Sequence, residues 1–116
     1  MCATNDSECL FIGDSHGNLK MWSISEQKII KDFGQVHEGS IWSLAVTNDG
    51  NYLFTSDWSG DIIQWDVFTQ EIVKKYVKAH SNKISTIVVT NDDLYFFTSD
   101  FSGVLKQWSI NKQRLA

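Results

Sequence analysis

A chain of 116 residues, 42% apolar and 21% charged, has the composition of a folded globular protein and lacks the polar bias of a disordered one. Ten Lys and Arg against fourteen Asp and Glu give a net charge of −4, with the basic residues scattered, so neither a nucleic-acid footprint nor a polybasic membrane patch is visible. No apolar run approaches the roughly 18 residues of a membrane span. The first residues do not read as a secretory signal, so no nucleic-acid or membrane partner is expected and the cytoplasm is the expected compartment. Cys2 and Cys9 have no second pair to complete a zinc set and read as reduced thiols.

Taken in order, the chain repeats itself every 43 residues without gaps. Thr4-Asn5-Asp6, Thr47-Asn48-Asp49 and Thr90-Asn91-Asp92 open three copies, and Phe11/Phe54/Phe97, Asp14/Asp57/Asp100, Gly17/Gly60/Gly103, Trp22/Trp65/Trp108 and Gln27/Gln70/Gln113 recur in step. Between the second and third copies, 13 of the 27 positions from Thr47 to Val73 are identical. The repeats span 4–46, 47–89 and a truncated 90–116.

Each copy reads as short strands separated by turn residues. In the second copy the expected strands are Ile41–Val46, Tyr52–Ser56, Asp61–Val67 and Glu71–Val77, the last wetter because it carries two lysines and a tyrosine. The first copy is expected to supply only its second, third and fourth strands, as an incomplete blade, and the third to lack its last. Ten strands, two and a half blades, are the outcome. A four-stranded unit of this length cannot bury both faces alone, so the units stack, and radial stacking gives an all-β partial propeller of antiparallel sheets.

At this point the residues resemble a known family, the WD-repeat propellers of WD40 type. Trp65-Asp66 matches the family's closing dipeptide, while Trp22-Ser23 and Trp108-Ser109 keep the tryptophan. His37 and His80 each stand 28 residues before Trp65 and Trp108, as the family places its histidine. The resemblance implies a buried hydrogen-bonded network of His37, Thr55 and Trp65, and of His80, Thr98 and Trp108. The family's turn aspartate should lie just before the glycine, where this chain has Ser59, Ser102 and, in the first copy, His16. Asp57 and Asp100 lie two residues earlier on the same strand face, which leaves two arrangements open: they reach the histidine, or neutral bonds hold it. The three repeated tryptophans are expected in the core.

Ser59, His37 and Asp57 invite a hydrolase reading, but the set recurs as Ser102, His80 and Asp100, coincides with the family's structural network and lacks a nucleophile elbow. His16, His37 and His80 fall in different blades and make no metal set. Neither catalysis nor a metal or cofactor is expected. The resemblance implies instead a protein-interaction scaffold with one contact face, on which Ser15, Trp58, Phe101, Ser40, Trp42, Lys83 and Ser85 are the corresponding positions. Its partner would be a protein or peptide, with further propeller blades supplied by a parent chain or, less favoured, by a second copy. The alternatives are a propeller-type enzyme of the quinoprotein kind, against which the two histidines speak, and a purely structural blade set in a large assembly.

Overall fold

The computed structural model describes residues 2–5 and 9–110. Among the described residues all regular structure is β-strand: β1 Cys2–Asn5, β2 Cys9–Gly13, β3 Asn18–Ser23, β4 Lys28–Gln35, β5 Ile41–Val46, β6 Tyr52–Asp57, β7 Ile62–Asp66, β8 Glu71–Tyr76, β9 Ile84–Val89, β10 Tyr95–Asp100 and β11 Leu105–Ser109. They form three antiparallel meanders, β1-β2-β3-β4, β5-β6-β7-β8 and β9-β10-β11. Each 43-residue repeat therefore supplies three strands to one sheet and the first strand to the next. The first strands β1, β5 and β9 are neighbours across the sheets.

The first sheet corrects the expectation of an incomplete blade. Cys2–Asn5 pairs with β2 and makes it four-stranded, for eleven strands among the described residues. In the second sheet Ala45 stands opposite Phe54, so the repeat would set Cys2 opposite Phe11; Thr4 is there instead, and Thr4-Asn5 lies in a strand where the other copies turn. A slip of two residues keeps the alternation of faces, which is why the ladder tolerates it. The expected absence of a fourth strand from the third copy falls on residues 111–116, outside the described residues, as do Asp6 and Gln113.

Two apolar layers lie between the sheets. Phe11, Leu19, Met21, Ile41, Leu53, Ile63 and Trp65 fill the first, while Phe54, Ile62, Ile84, Ile87 and Phe96 fill the second. The third-strand tryptophan faces the preceding sheet: Trp65 meets Phe33 edge-on at 5.3 Å, and Trp108 meets Tyr76 at 5.0 Å. Trp65 is buried, but Trp22 and Trp108 are only half-buried, which corrects the expectation that all three are core. Trp22 has no preceding sheet among the described residues to cover it. The opposite strand face looks to the following sheet. There Leu19 and Ile62 are 0% exposed, whereas Leu105, their counterpart in the third sheet, is 67% exposed with no described sheet beyond it.

Glycine is required where sheets are stitched together. Gly60 (φ 92°) closes the β6–β7 turn, with its N–H donating to the Asp57 carbonyl at 3.3 Å, and its own carbonyl accepts the His80 N–H at 3.2 Å. A Cβ on Gly60 would stand 2.0 Å from the His80 carbonyl oxygen, and one on Gly17 equally close to that of His37. Left-handed backbone costs an L-residue about 1–2 kcal/mol, and a rigid backbone clash adds a similar amount. Gly60→Ala is therefore expected to destabilise the fold by about 3 kcal/mol, read from the urea midpoint at constant m; an unchanged midpoint would contradict the stitching role.

Candidate functional site

The turn after each second strand is built on one aspartate. Asp57 Oδ1 accepts the N–H groups of Ser59 and Asp61, both at 3.0 Å, and Asp100 Oδ1 accepts those of Ser102 (2.9 Å) and Val104 (3.1 Å). Asp14 does the same for His16 and Asn18, both at 2.9 Å. Aspartate suits this place because its short side chain bridges its own backbone two and four residues on.

The second carboxylate oxygen reaches the histidine. His37 Nδ1 lies 3.0 Å from Asp57 Oδ2 and Nε2 lies 2.7 Å from Thr55 Oγ1; Trp65 Nε1 donates to that same hydroxyl at 3.1 Å. The third sheet repeats this, with His80 at 2.9 Å from Asp100 and 2.7 Å from Thr98, and Trp108 at 2.9 Å from Thr98. An indole nitrogen only donates, so the threonine oxygen accepts from it. The threonine hydrogen then goes to Nε2, and Nδ1–H donates to the carboxylate. A neutral imidazole with its proton on Nδ1 satisfies every member of the chain. Of the two arrangements open at the sequence level, the structure has the aspartate bonded to the histidine. In the first sheet Ile12 replaces the threonine, and Asn18 takes the second oxygen of Asp14 at 3.1 Å.

Burial pushes the Asp57 carboxyl up, but bonds from His37, from the Asp61 N–H and from Ser59 outweigh it and hold the group at about 2, below the ordinary 3.8. Asp100 is also lowered, first by the Ser102 hydroxyl. Because the folded value of Asp57 lies below the unfolded one, its contribution to stability is complete above about pH 4 and is lost as pH falls toward 2. Asp57→Asn is expected to lower stability at neutral pH and to flatten the acid limb between about pH 4 and 2, as measured by urea unfolding at several pH values. An acid limb as steep as that of the unmodified protein would rule out this titration.

The geometry is not that of a hydrolase. Ser59 Oγ donates to Asp57 Oδ2 at 2.9 Å, and both ring nitrogens of buried His37 are engaged by Asp57 and Thr55. The order is serine, aspartate, histidine, whereas a triad needs the histidine between the other two. Ser102 likewise bonds Asp100, at 2.6 Å. Among the described residues no three His, Cys, Asp or Glu side chains gather as a metal site.

Above this network the structure brings several contact-face positions together. The Trp58 N–H donates to the Ser40 carbonyl at 3.1 Å and the Phe101 N–H to the Lys83 carbonyl at 3.0 Å, so each turn is tied to the start of its own first strand. Between Ile41 and Ser43 the pairing of β5 with β6 shifts, leaving Trp42 as a bulge residue, and a bulge re-aims its side chain. Ile41 is buried while Trp42 turns outward. Trp42 and Trp58 lie 5.3 Å apart, and Trp42 meets Phe101 edge-on at 6.2 Å. Their exposures are 45%, 36% and 53%, so the three form one accessible aromatic group across two sheets. Lys83 Nζ sits 4.3 Å above the Trp58 ring. Ser85, at the matching bulge of β9, turns into its own sheet and donates to the Ser99 carbonyl at 3.2 Å. Ser15 is exposed in the first sheet's turn, with its hydroxyl 3.5 Å from His16 Nδ1.

Two contacts escaped sequence reasoning. The cation over Trp58 joins residues of neighbouring sheets, which no spacing along the chain reveals. Asp93 clamps the preceding sheet by accepting the N–H groups of Asn48 (2.8 Å) and Asp49 (3.0 Å). Its signal was present in part: Asp93 holds a left-handed φ of 58° at the position that is Gly50 one repeat earlier.

The family described as WD domain, G-beta repeat, matches residues 28–66 and 71–109. No curated protein sequence matches the chain. Among solved structures, the computationally designed Ika4 protein is similar with a TM-score of 0.80 at 20% identity, covering 94% of this chain and 64% of that one. The structure of U3-55K (TM-score 0.84) and that of the RRP9 WD40 repeats (0.85) are similar at 16% identity, each covering 90% of this chain and 33% of the other. The chain thus spans about two thirds of the designed protein and one third of the other two, and the likeness is one of fold.

Proposed function

The chain belongs to the WD40 repeat family, and we propose that it acts as a non-catalytic scaffold presenting the Trp42, Trp58 and Phe101 group to a protein or peptide partner. WD40 domains generally bind proteins. The observation that carries the finer reading is the accessible, mutually packed aromatic group at the turn face, rooted in turns that the buried aspartates hold rigid. Large aromatics fixed in place make interface anchors at low entropic cost. Trp58→Ala, with Trp42→Ala beside it, is expected to reduce partner recovery in a pull-down at least tenfold while the thermal melt stays cooperative. Unchanged recovery with an intact fold would overturn the contact face.

A second reading concerns the rest of the ring. WD40 domains close their propellers with further blades, and the uncovered Leu105 favours a blade stacking on the third sheet, from a parent chain or a second copy. Gly103 supplies the test, because a Cβ there meets nothing within 4 Å, although its φ of 93° matches that of Gly60. Where a further blade covers this face, Gly103→Ala is expected to destabilise as strongly as Gly60→Ala. On a bare face it costs only the backbone strain, about 1–2 kcal/mol, and urea midpoints of the two variants separate the cases.

A further inference from the structure

The aromatic group carries a charge of its own. Lys83 Nζ lies over the Trp58 ring, yet no carboxylate of the described residues pairs with it: the ion pairs among them join Lys28 to Glu26, His37 to Asp57 and His80 to Asp100. An ammonium has three N–H donors, and a ring face below it leaves donors for a ligand lying on the rings.

Resting on the reading of this face as a partner site, we propose that the segment it takes is acidic: a peptide that lays an apolar or aromatic side chain against Trp42 and Phe101 and sets an Asp or Glu carboxylate on Lys83. The rings alone do not decide the partner's chemistry. Trp42 and Phe101 stand at 87° to each other, a corner that would suit a cation as well as an apolar group. Lys83 decides between them. Its positive charge beside Trp58 repels a lysine, methylated or not, from the same corner and attracts a carboxylate, on a surface where the rings displace water and strengthen the pairing. Ser40 holds the matching position one repeat earlier, so the charge belongs to this part of the face. The net charge of −4 gives an acidic partner no long-range attraction, which makes the discrimination local to Lys83.

The test is an array of short peptides with a central Phe or Leu flanked by Asp and Glu, by Ser and Gln, or by Lys and Arg, with a further set carrying trimethyl-lysine. It is probed with the protein and with its Lys83→Glu, Lys83→Gln, Trp42→Ala and Trp58→Ala variants, each checked by circular dichroism. Acidic-flanked peptides are expected to be held about fivefold better than neutral ones, with the margin lost in Lys83→Gln, reversed toward basic peptides in Lys83→Glu, and weakened by added salt. Equal capture of neutral and acidic peptides, or preference for basic or trimethyl-lysine peptides, overturns the acidic partner while the contact face stands if Trp42→Ala still abolishes capture. Capture indifferent to both tryptophans, or no capture by any peptide, overturns the face as well.

Discussion

One carboxylate per sheet holds the turn end of that sheet together. Asp57 uses one oxygen to shape the turn of its own sheet and the other to hold His37, which arrives from the loop after the first sheet. Through Thr55 and Trp65 the same chain ties the second and third strands beneath the turn. Asp100 repeats the device. Hydrogen bonds in a dry interior polarise one another, and each group here would be costly if left unpaired, so the network holds as a unit. In the first sheet Asp14 keeps the turn bonds although Ile12 stands where the other two have the threonine.

That constraint passes outward in two directions. Toward the neighbouring sheet, the histidine loops are stitched to Gly17 and Gly60, whose missing side chains let a carbonyl approach closely. Toward solvent, the stiffened turns carry Trp58 and Phe101, and the β5 bulge brings Trp42 between them. The serine and aspartate that could be mistaken for catalytic groups are thus the foundation under the exposed aromatic group. The packing of the sheets and the placing of these rings draw on the same buried bonds.

The second sheet was largely legible in the sequence. Expected strands at Tyr52–Ser56, Asp61–Val67 and Glu71–Val77 coincide with β6, β7 and β8 to within a residue at each end, because apolar alternation and turn residues are local signals. Cys2–Asn5 was not legible as a strand: it lacks the β-rich pattern of Ile41–Val46 and is held by pairing with β2. The partial exposure of Trp22 and Trp108 was equally hidden, since a repeat in sequence implies equal environments, whereas Trp22 has no described sheet before it.

By itself the sequence determined the period and the all-β class, which follow from local residue chemistry repeated in register. Which histidines, threonines and tryptophans form the network was implied by the family resemblance that those repeats carry. Only the tertiary structure decided that Asp57 and Asp100 face the histidines, that the bulge turns Trp42 outward, and that Lys83 lies over Trp58. Each depends on distances between strands or sheets, set by the packing of the whole chain, and such distances have no image in the spacing of residues along it.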